Sequence, residues 1–426
     1  MTPVKRVFAN FRLLVFGRVC ASVLNLVAIT VMARAINLNE FGTVVLVFVY
    51  LLTIRVLANL KPFLAVIRWG VPALDSGDRD TLTRLLVLTN RIDWCAAATA
   101  MLLGVLLAPL VGTLLGWSDR IIGYAMAFSV VLLASGTGTA TGVLRLMDRF
   151  DAIAIQNAVG PAVRCLGALG AWYYEAPMDA FVAIWCVSLG MESLYLAWRG
   201  RRECRVHGYR FSPFHKTSLA SFPGFPRFLG IAYVQTVLDL VPHRFSTIMV
   251  GAVLGAESAG LFRAASECYT VVARPAVMLR QVVFPDLTRL WADSVATFRS
   301  VVWRVCGIAG LIGACFVVPS VFFGDWFMGT LFGDVFGVAG GLLTWLLVSA
   351  AFELGGAALR PAGYAMNRAG AMLAGSVVGT GALLIGFYPL TQTAGLTGAG
   401  VAVGLGALVT WLGMVWVITR QTGGTR

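Results

Sequence analysis

Charge is scarce in this sequence. Asp, Glu, Lys and Arg together make up 12% of its 426 residues, about half the share of a typical soluble domain, while hydrophobic residues supply 58%. That balance excludes a soluble globular class. Long outside loops are missing as well, which removes the platform on which a membrane glycan polymerase or ligase would hold its acceptor. The 8 cysteines show no paired metal-ligand spacing, and no nucleophile, base and orienting group come together in the sequence. Gly136, Gly138 and Gly142, interleaved with Thr137, Thr139 and Thr141, lack the strand and the Lys-Ser/Thr of a phosphate loop. They read as positions of close helix packing. The sequence predicts no enzyme, no metal and no cofactor.

What the chain has instead is a succession of apolar stretches separated by short connections. A bilayer core of about 30 Å takes about 20 helical residues per crossing. About twelve segments of that kind can be drawn: 11–36, 41–67, 91–115, 120–145, 151–174, 177–199, 226–251, 257–284, 299–323, 334–359, 369–389 and 394–419. Their continuous apolarity, without period-two alternation, predicts helices and not a lipid-facing barrel.

Orientation follows from Lys and Arg, which are retained on the cytoplasmic side during insertion. With Lys5, Arg6 and Arg12 inside, most of the 33 basic residues fall at inside loops and helix ends; only Arg34 and Arg120 fall outside, and Arg18, Arg55, Arg164, Arg244, Arg263 and Arg274 lie within spans. Outside turns carry Glu40, Asp119, Glu175, Asp179, Glu257, Asp325 and Asp334. Both termini are expected in the cytoplasm of a bacterial inner membrane. The net charge of +13 therefore points to anionic lipid headgroups and not to nucleic acid, with Arg199, Arg201, Arg202, Arg205, Arg210 and Lys216 as a cytoplasmic anchor. The first apolar run is longer than a signal-peptide core and many spans follow it, so it reads as an uncleaved first span.

Aligning Gly42 with Gly260 sets Asn39-Glu40-Phe41-Gly42 against Glu257-Ser258-Ala259-Gly260, each a short outside turn between the first two spans of a six-span half. An inside polar segment follows each pair, 74–84 and 286–299, and reads as a short amphipathic helix. The expected organisation is an N-terminal half over 1–200, a cytoplasmic linker over 201–225 and a C-terminal half over 226–426. Because each half has an even number of spans, the two share one topology about an axis along the membrane normal.

These features resemble a known family, the polysaccharide exporters or lipid-linked oligosaccharide flippases of the multidrug/oligosaccharidyl-lipid/polysaccharide (MOP) exporter superfamily. Met32-Ala33-Arg34-Ala35 before Asn39-Glu40-Phe41-Gly42, then Leu254-Gly255-Ala256-Glu257-Ser258-Ala259-Gly260-Leu261-Phe262 and Phe284-Pro285-Asp286-Leu287-Thr288-Arg289-Leu290, carry the resemblance. It implies an all-α polytopic fold like that of MATE and other MOP transporters, with two pseudo-symmetric six-helix halves. It also implies a cationic cavity for a lipid carrier, with the polyprenyl tail left in lipid.

Polar residues inside spans are costly, about 2.5 to 3.5 kcal/mol for a charge at helix centre on insertion scales, and so mark function or pairing. Arg263, Glu267, Thr270 and Arg274 share one face of the eighth span, and Gln235, Asp239, His243 and Ser246 one face of the seventh, with Arg244 beside them. Arg18, Ser22 and Asn25 in the first span and Arg55 and Asn59 in the second complete the set. The expectation is a positively biased cavity that receives the diphosphate and first sugars of a polyprenyl-linked glycan. Arg18, Asn25, Arg55, Arg244, Arg263 and Arg274 are the substrate-binding candidates, since a guanidinium can pair its donors with phosphate oxygens at any relevant pH. Internal ion pairing competes with that reading for Arg263 with Glu267 and for Arg244 with Asp239. Asp239, Glu267 and Glu353 are the candidates for proton or sodium coupling. A cation-coupled multidrug antiporter of the same superfamily is the alternative, disfavoured by the arginine excess. One chain with two matching halves suffices as a monomer, in contact with a glycan polymerase or other export machinery.

Overall fold

The computed structural model describes residues 3–209, 222–230, 233, 245–366 and 368–423. Among the described residues the chain is helical, with no strand. It divides into two compact units, Met1–Ile36 with Thr43–Leu240 and Asn37–Gly42 with Val241–Arg426. All eight cysteines are free thiols.

In the first unit α1 (Pro3–Ala35) runs along α7 (Phe150–Tyr173). The two backbones approach at Gly17, where a side chain would meet the Ala154 carbonyl. The second crossing, α2 (Leu38–Leu57), is shorter than the expected 41–67. Asn59 ends it: its Oδ1 accepts the backbone N–H of Lys61 at 2.7 Å, Lys61 adopts φ 50°, and Pro62 opens a new helix, α3 (Phe63–Asp75). The short amphipathic helix expected over 74–84 thus lies earlier in the chain, over Phe63–Asp75. Its apolar face, Ala65, Val66 and Ala73, packs with Leu82, Leu85, Val143, Phe222 and Phe225.

Asp78 caps α4 (Arg79–Leu114) by accepting the Thr81 N–H at 2.9 Å, which holds its carboxyl below the usual carboxylate range. A depressed folded pKa contributes stability above the ordinary value and loses it as pH falls through the folded one. The protection of the Thr81 amide, its exchange rate relative to the intrinsic rate at the same pH, is therefore expected to fall in acid, and Asp78→Ala to remove that acid dependence; a protection unchanged by pH would refute the cap's role.

The fourth crossing is broken into α5 (Asp119–Phe128), a 3₁₀ turn (Ser129–Ser135) and α6 (Gly138–Leu146). Asp93, 3% exposed on α4, holds the break by accepting the N–H groups of Gly138 at 3.0 Å and Thr139 at 2.6 Å. A carboxylate of one helix caps another. The glycines of this segment fit between backbones: a Cβ at Gly136 would meet the Asp93 carbonyl, one at Gly138 the Pro62 ring, and one at Gly142 the Val66 side chain. Asp93→Ala should strand two buried N–H groups and lower stability by about 2–3 kcal/mol, with Asp93→Asn recovering part of it. Thermal melts in detergent read this directly. α8 (Met178–Val206) closes the unit, and Arg149 ties the α6–α7 turn to both Asp151 and buried Glu203, each at 2.9 Å.

The second unit begins with α9 (Ser246–Asp293), interrupted at Gly255 (φ 87°, ψ 176°). Past that break it continues to Asp293, so the expected separate helix over 286–299 is instead the end of α9 and the start of α10 (Val295–Phe332), parted by the Ser294 cap. The first half breaks at the corresponding point because Lys61-Pro62 stand there. A 3₁₀ turn (Asp334–Ala339), α11 (Gly340–Gly355), α12 (Leu359–Ala365) and α13 (Ala369–Gly423) follow, the last broken at Gly395 (φ 58°, ψ −135°). Residues Asn37–Gly42 belong to this unit. Fully buried Phe41 lies 5.3 Å from the Phe336 ring, and Gly42 sits against Gly260, its counterpart in the sequence repeat.

Among the described residues ten continuous segments are long and apolar enough to cross a membrane, and the last, Gly370–Arg420, spans 51 residues across the Gly395 break, length enough for two. Half of the seventh expected crossing, 226–251, lies outside the described residues.

Candidate substrate-binding and coupling residues

In the first unit, polar side chains converge where α2, α7 and α8 carry them. Gln156, Gly160 and Arg164 follow each other at one-turn spacing on α7, and Ser188 and Glu192 do so on α8. The two helices run antiparallel, so the rows meet in order. Gln156 Nε2 donates to Glu192 Oε1 at 2.6 Å, and Arg164 Nη1 donates to Ser188 Oγ at 3.1 Å. Gly160 leaves room for the carboxylate, since a Cβ there would stand 3.0 Å from Glu192 Oε2. Arg55 of α2 reaches Glu192 at 3.8 Å, its side chain 18% exposed. Two turns earlier on α2, the Phe48 ring lies 5.1 Å from the Arg164 guanidinium.

Arg18 is exposed on α1, within electrostatic range of Arg145, whose guanidinium lies 4.6 Å from the Phe63 ring centroid. Ser22 turns back to the Arg18 carbonyl at 2.8 Å, and Asn25 is buried a turn further on. The first-span candidates and Arg55 are thus on neighbouring segments of one unit, but Arg55 alone among them is held by the Glu192 network.

In the second unit Arg263 forms an ion pair with Glu267, one turn on along α9, and Glu267 is 5% exposed. The internal pairing weighed from the sequence is present. Arg274 lies partly buried further along the same helix. Glu353 of α11 accepts the Tyr269 hydroxyl at 2.6 Å and faces Arg280 at 3.8 Å. Both partners come from α9, where the sequence reading did not look for them. Gln235, Asp239, His243 and Arg244 lie outside the described residues.

Gln156, Glu192 and Arg164 in the first unit, and Tyr269 and Arg280 in the second, escaped the candidate set. For Gln156, Gly160 and Arg164 a signal existed: the one-turn spacing on an apolar helix, matched by Ser188 and Glu192 on the next.

Residues 7–291 match the family described as polysaccharide biosynthesis protein. The chain belongs to that family. A curated relative, the inner membrane protein YghQ of Escherichia coli (strain K12), is 26% identical over 278 residues, covering 64% of this chain and 78% of the relative. The fold is that of solved MOP-superfamily structures. An inward-facing multidrug resistance MATE family transporter superposes with a TM-score of 0.74 at 12% identity, over 95% of this chain and 96% of the other. The lipid II flippase MurJ, in an inward closed conformation, gives 0.74 at 12% identity, over 96% and 87%. A MOP superfamily transporter from Pyrococcus furiosus, described as having a binding pocket of reverse polarity, gives 0.57 at 13% identity, over 96% and 95%. The expectation of an all-helical polytopic MOP-like fold and of a flippase or polysaccharide-exporter family is met. This member of the polysaccharide biosynthesis protein family is a multi-pass membrane protein.

Proposed function

We propose that the protein moves a polyprenyl-diphosphate-linked oligosaccharide across the bacterial inner membrane by alternating access, supplying polysaccharide assembly outside. The observation that carries this reading is the accumulation of arginine in apolar helices. Arg18 and Arg145 lie in electrostatic range of each other, and in the same unit Arg55 faces Glu192 while Arg164 donates to Ser188 one turn along that helix. Like charges gathered in a low-dielectric setting are stabilised by a polyanionic ligand, and a diphosphate is one. The family's description and a structural relative that is a lipid II flippase support the same substrate class. Both termini face the cytoplasm in this proposal, the glycan headgroup passes through the protein, and the prenyl tail stays in lipid. Glu267 and Glu353 are its described coupling carboxylates for proton or sodium.

The multidrug reading rests on the MATE relatives. A lipophilic cation would have to sit among the same arginines, which repel it. Purified protein in liposomes, offered a fluorescent polyprenyl-diphosphate sugar beside a lipophilic cation dye, separates the two. Movement of the glycolipid is expected; movement of the dye alone would overturn the proposal in favour of an antiporter.

A further inference from the structure

The second unit contains a surplus of hydrogen-bond donors around a single carboxylate. Glu353 is fixed through Oε1 by the Tyr269 hydroxyl at 2.6 Å, and its other oxygen lies 3.8 Å from Arg280 Nη2, close enough to attract and too far to accept a hydrogen bond. Among the described residues the one hydrogen bond of the Arg280 side chain runs from Nε to the Ala276 carbonyl of its own helix at 3.3 Å. Its Nη donors face the carboxylate without being consumed by it. Arg360, two turns past Glu353 and beyond the Gly355–Gly356 helix break, lies in electrostatic range of Arg280, as does Tyr364. Arg360 spends one Nη donor on Ser376 Oγ at 3.2 Å. From α13 the Trp411 indole approaches Gly355 and Gly356, and its buried Nε1–H finds no acceptor among the described residues. The Tyr269 phenol and the Arg280 guanidinium thus stand on one carboxylate, with Arg360 and Tyr364 in electrostatic range of Arg280.

We infer that Arg280 and Arg360, with Tyr269, form a phosphate-binding subsite within the second unit, and that Glu353 is its internal latch. Without ligand, Glu353 offsets the repulsion between the two arginines. A phosphate-bearing anion brings more oxygens than one carboxylate and can take paired donors from both guanidinium groups, displacing the loose Arg280 contact while Tyr269 keeps Glu353 in place. The exchange forms and breaks no covalent bond. A diphosphate headgroup and the phosphate of an anionic glycerophospholipid share this chemistry. The assignment deepens the flippase reading in the first case, and its test requires no transport.

The experiment uses the full-length protein in nanodiscs of neutral lipid, titrated with inorganic pyrophosphate, and in parallel in nanodiscs doped with phosphatidylglycerol and read by native mass spectrometry. Saturable binding to at least one probe is expected, weakened about tenfold or more by Arg280→Ala and by Arg360→Gln. Glu353→Gln keeps an acceptor for Tyr269 but removes the competing charge, and should tighten binding about tenfold. A gain of affinity cannot be produced by misfolding. A pyrophosphate response assigns the subsite to a diphosphate headgroup, and a phosphatidylglycerol response alone assigns it to the bilayer. Absence of saturable binding, or Glu353→Gln leaving both affinities unchanged, overturns the subsite. Failure of glycolipid translocation with these affinities intact would instead count against the flippase reading.

Discussion

Arg55→Ala should abolish glycolipid translocation and also destabilise the protein, and Glu192→Gln placed on top of it should restore the stability but not the translocation. In the native chain Glu192 has two partners, Arg55 at 3.8 Å and Gln156 at 2.6 Å. Removing the guanidinium leaves a carboxylate among apolar helices with an amide for company, and breaking a buried ion pair from one side costs about 3–5 kcal/mol. With Arg55 18% and Glu192 21% exposed, the lower end of that range or less is expected, since residual solvent screens the pair. Glu192→Gln removes the stranded charge, so the double variant should melt near the native temperature. If Arg55 binds the headgroup, the double variant folds and does not transport, with a rate about a hundredfold down or more, equivalent to about 2.7 kcal/mol. If Arg55 only balances Glu192, transport returns with stability. The liposome assay and a melting curve on the same preparations decide between them.

The same pair illustrates which features a linear sequence carries. The helical, apolar character of the crossings was legible because each is a continuous stretch of composition, and the glycine-rich fourth crossing was legible as a place of close approach. Where helices stop was not. The second crossing ends at Leu57 because one Asn59 side chain captures the Lys61 N–H, and the fourth breaks because Asp93, from another helix, supplies the acceptor that Gly138 and Thr139 require. A side chain remote in sequence sets that boundary. Partner choice among intramembrane charges was legible only when both members lie on one helix. Arg263 with Glu267 is a four-residue spacing and was foreseen, whereas Arg55 with Glu192 and Arg280 with Glu353 depend on the relative register of separate helices. Gly42 and Gly260, matched on sequence alone, lie close together in the second unit, where a Cβ on Gly260 would stand 3.3 Å from the Gly42 backbone.

Arg263→Lys should separate binding from folding in the eighth crossing more cleanly than any neutral replacement. Arg263 pairs with Glu267, which is 5% exposed, so Arg263→Gln would remove the opposite charge of that ion pair beside a buried carboxylate and lower membrane abundance, confusing loss of protein with loss of function. Lysine keeps the charge and can still reach one turn along the helix. It loses the planar fork that lets a guanidinium give paired hydrogen bonds to a phosphate while another donor serves the carboxylate. Abundance and melting temperature are therefore expected to stay near native, while glycolipid translocation falls by about tenfold to a hundredfold, equivalent to about 1.4–2.7 kcal/mol. Unimpaired translocation in Arg263→Lys would remove Arg263 from the headgroup contacts and leave it as the structural partner of Glu267. Loss of both abundance and translocation would mean that the ion pair needs the guanidinium geometry itself, and Glu267→Gln in the Arg263→Lys background then settles the matter: recovery of abundance without recovery of transport returns Arg263 to the binding site.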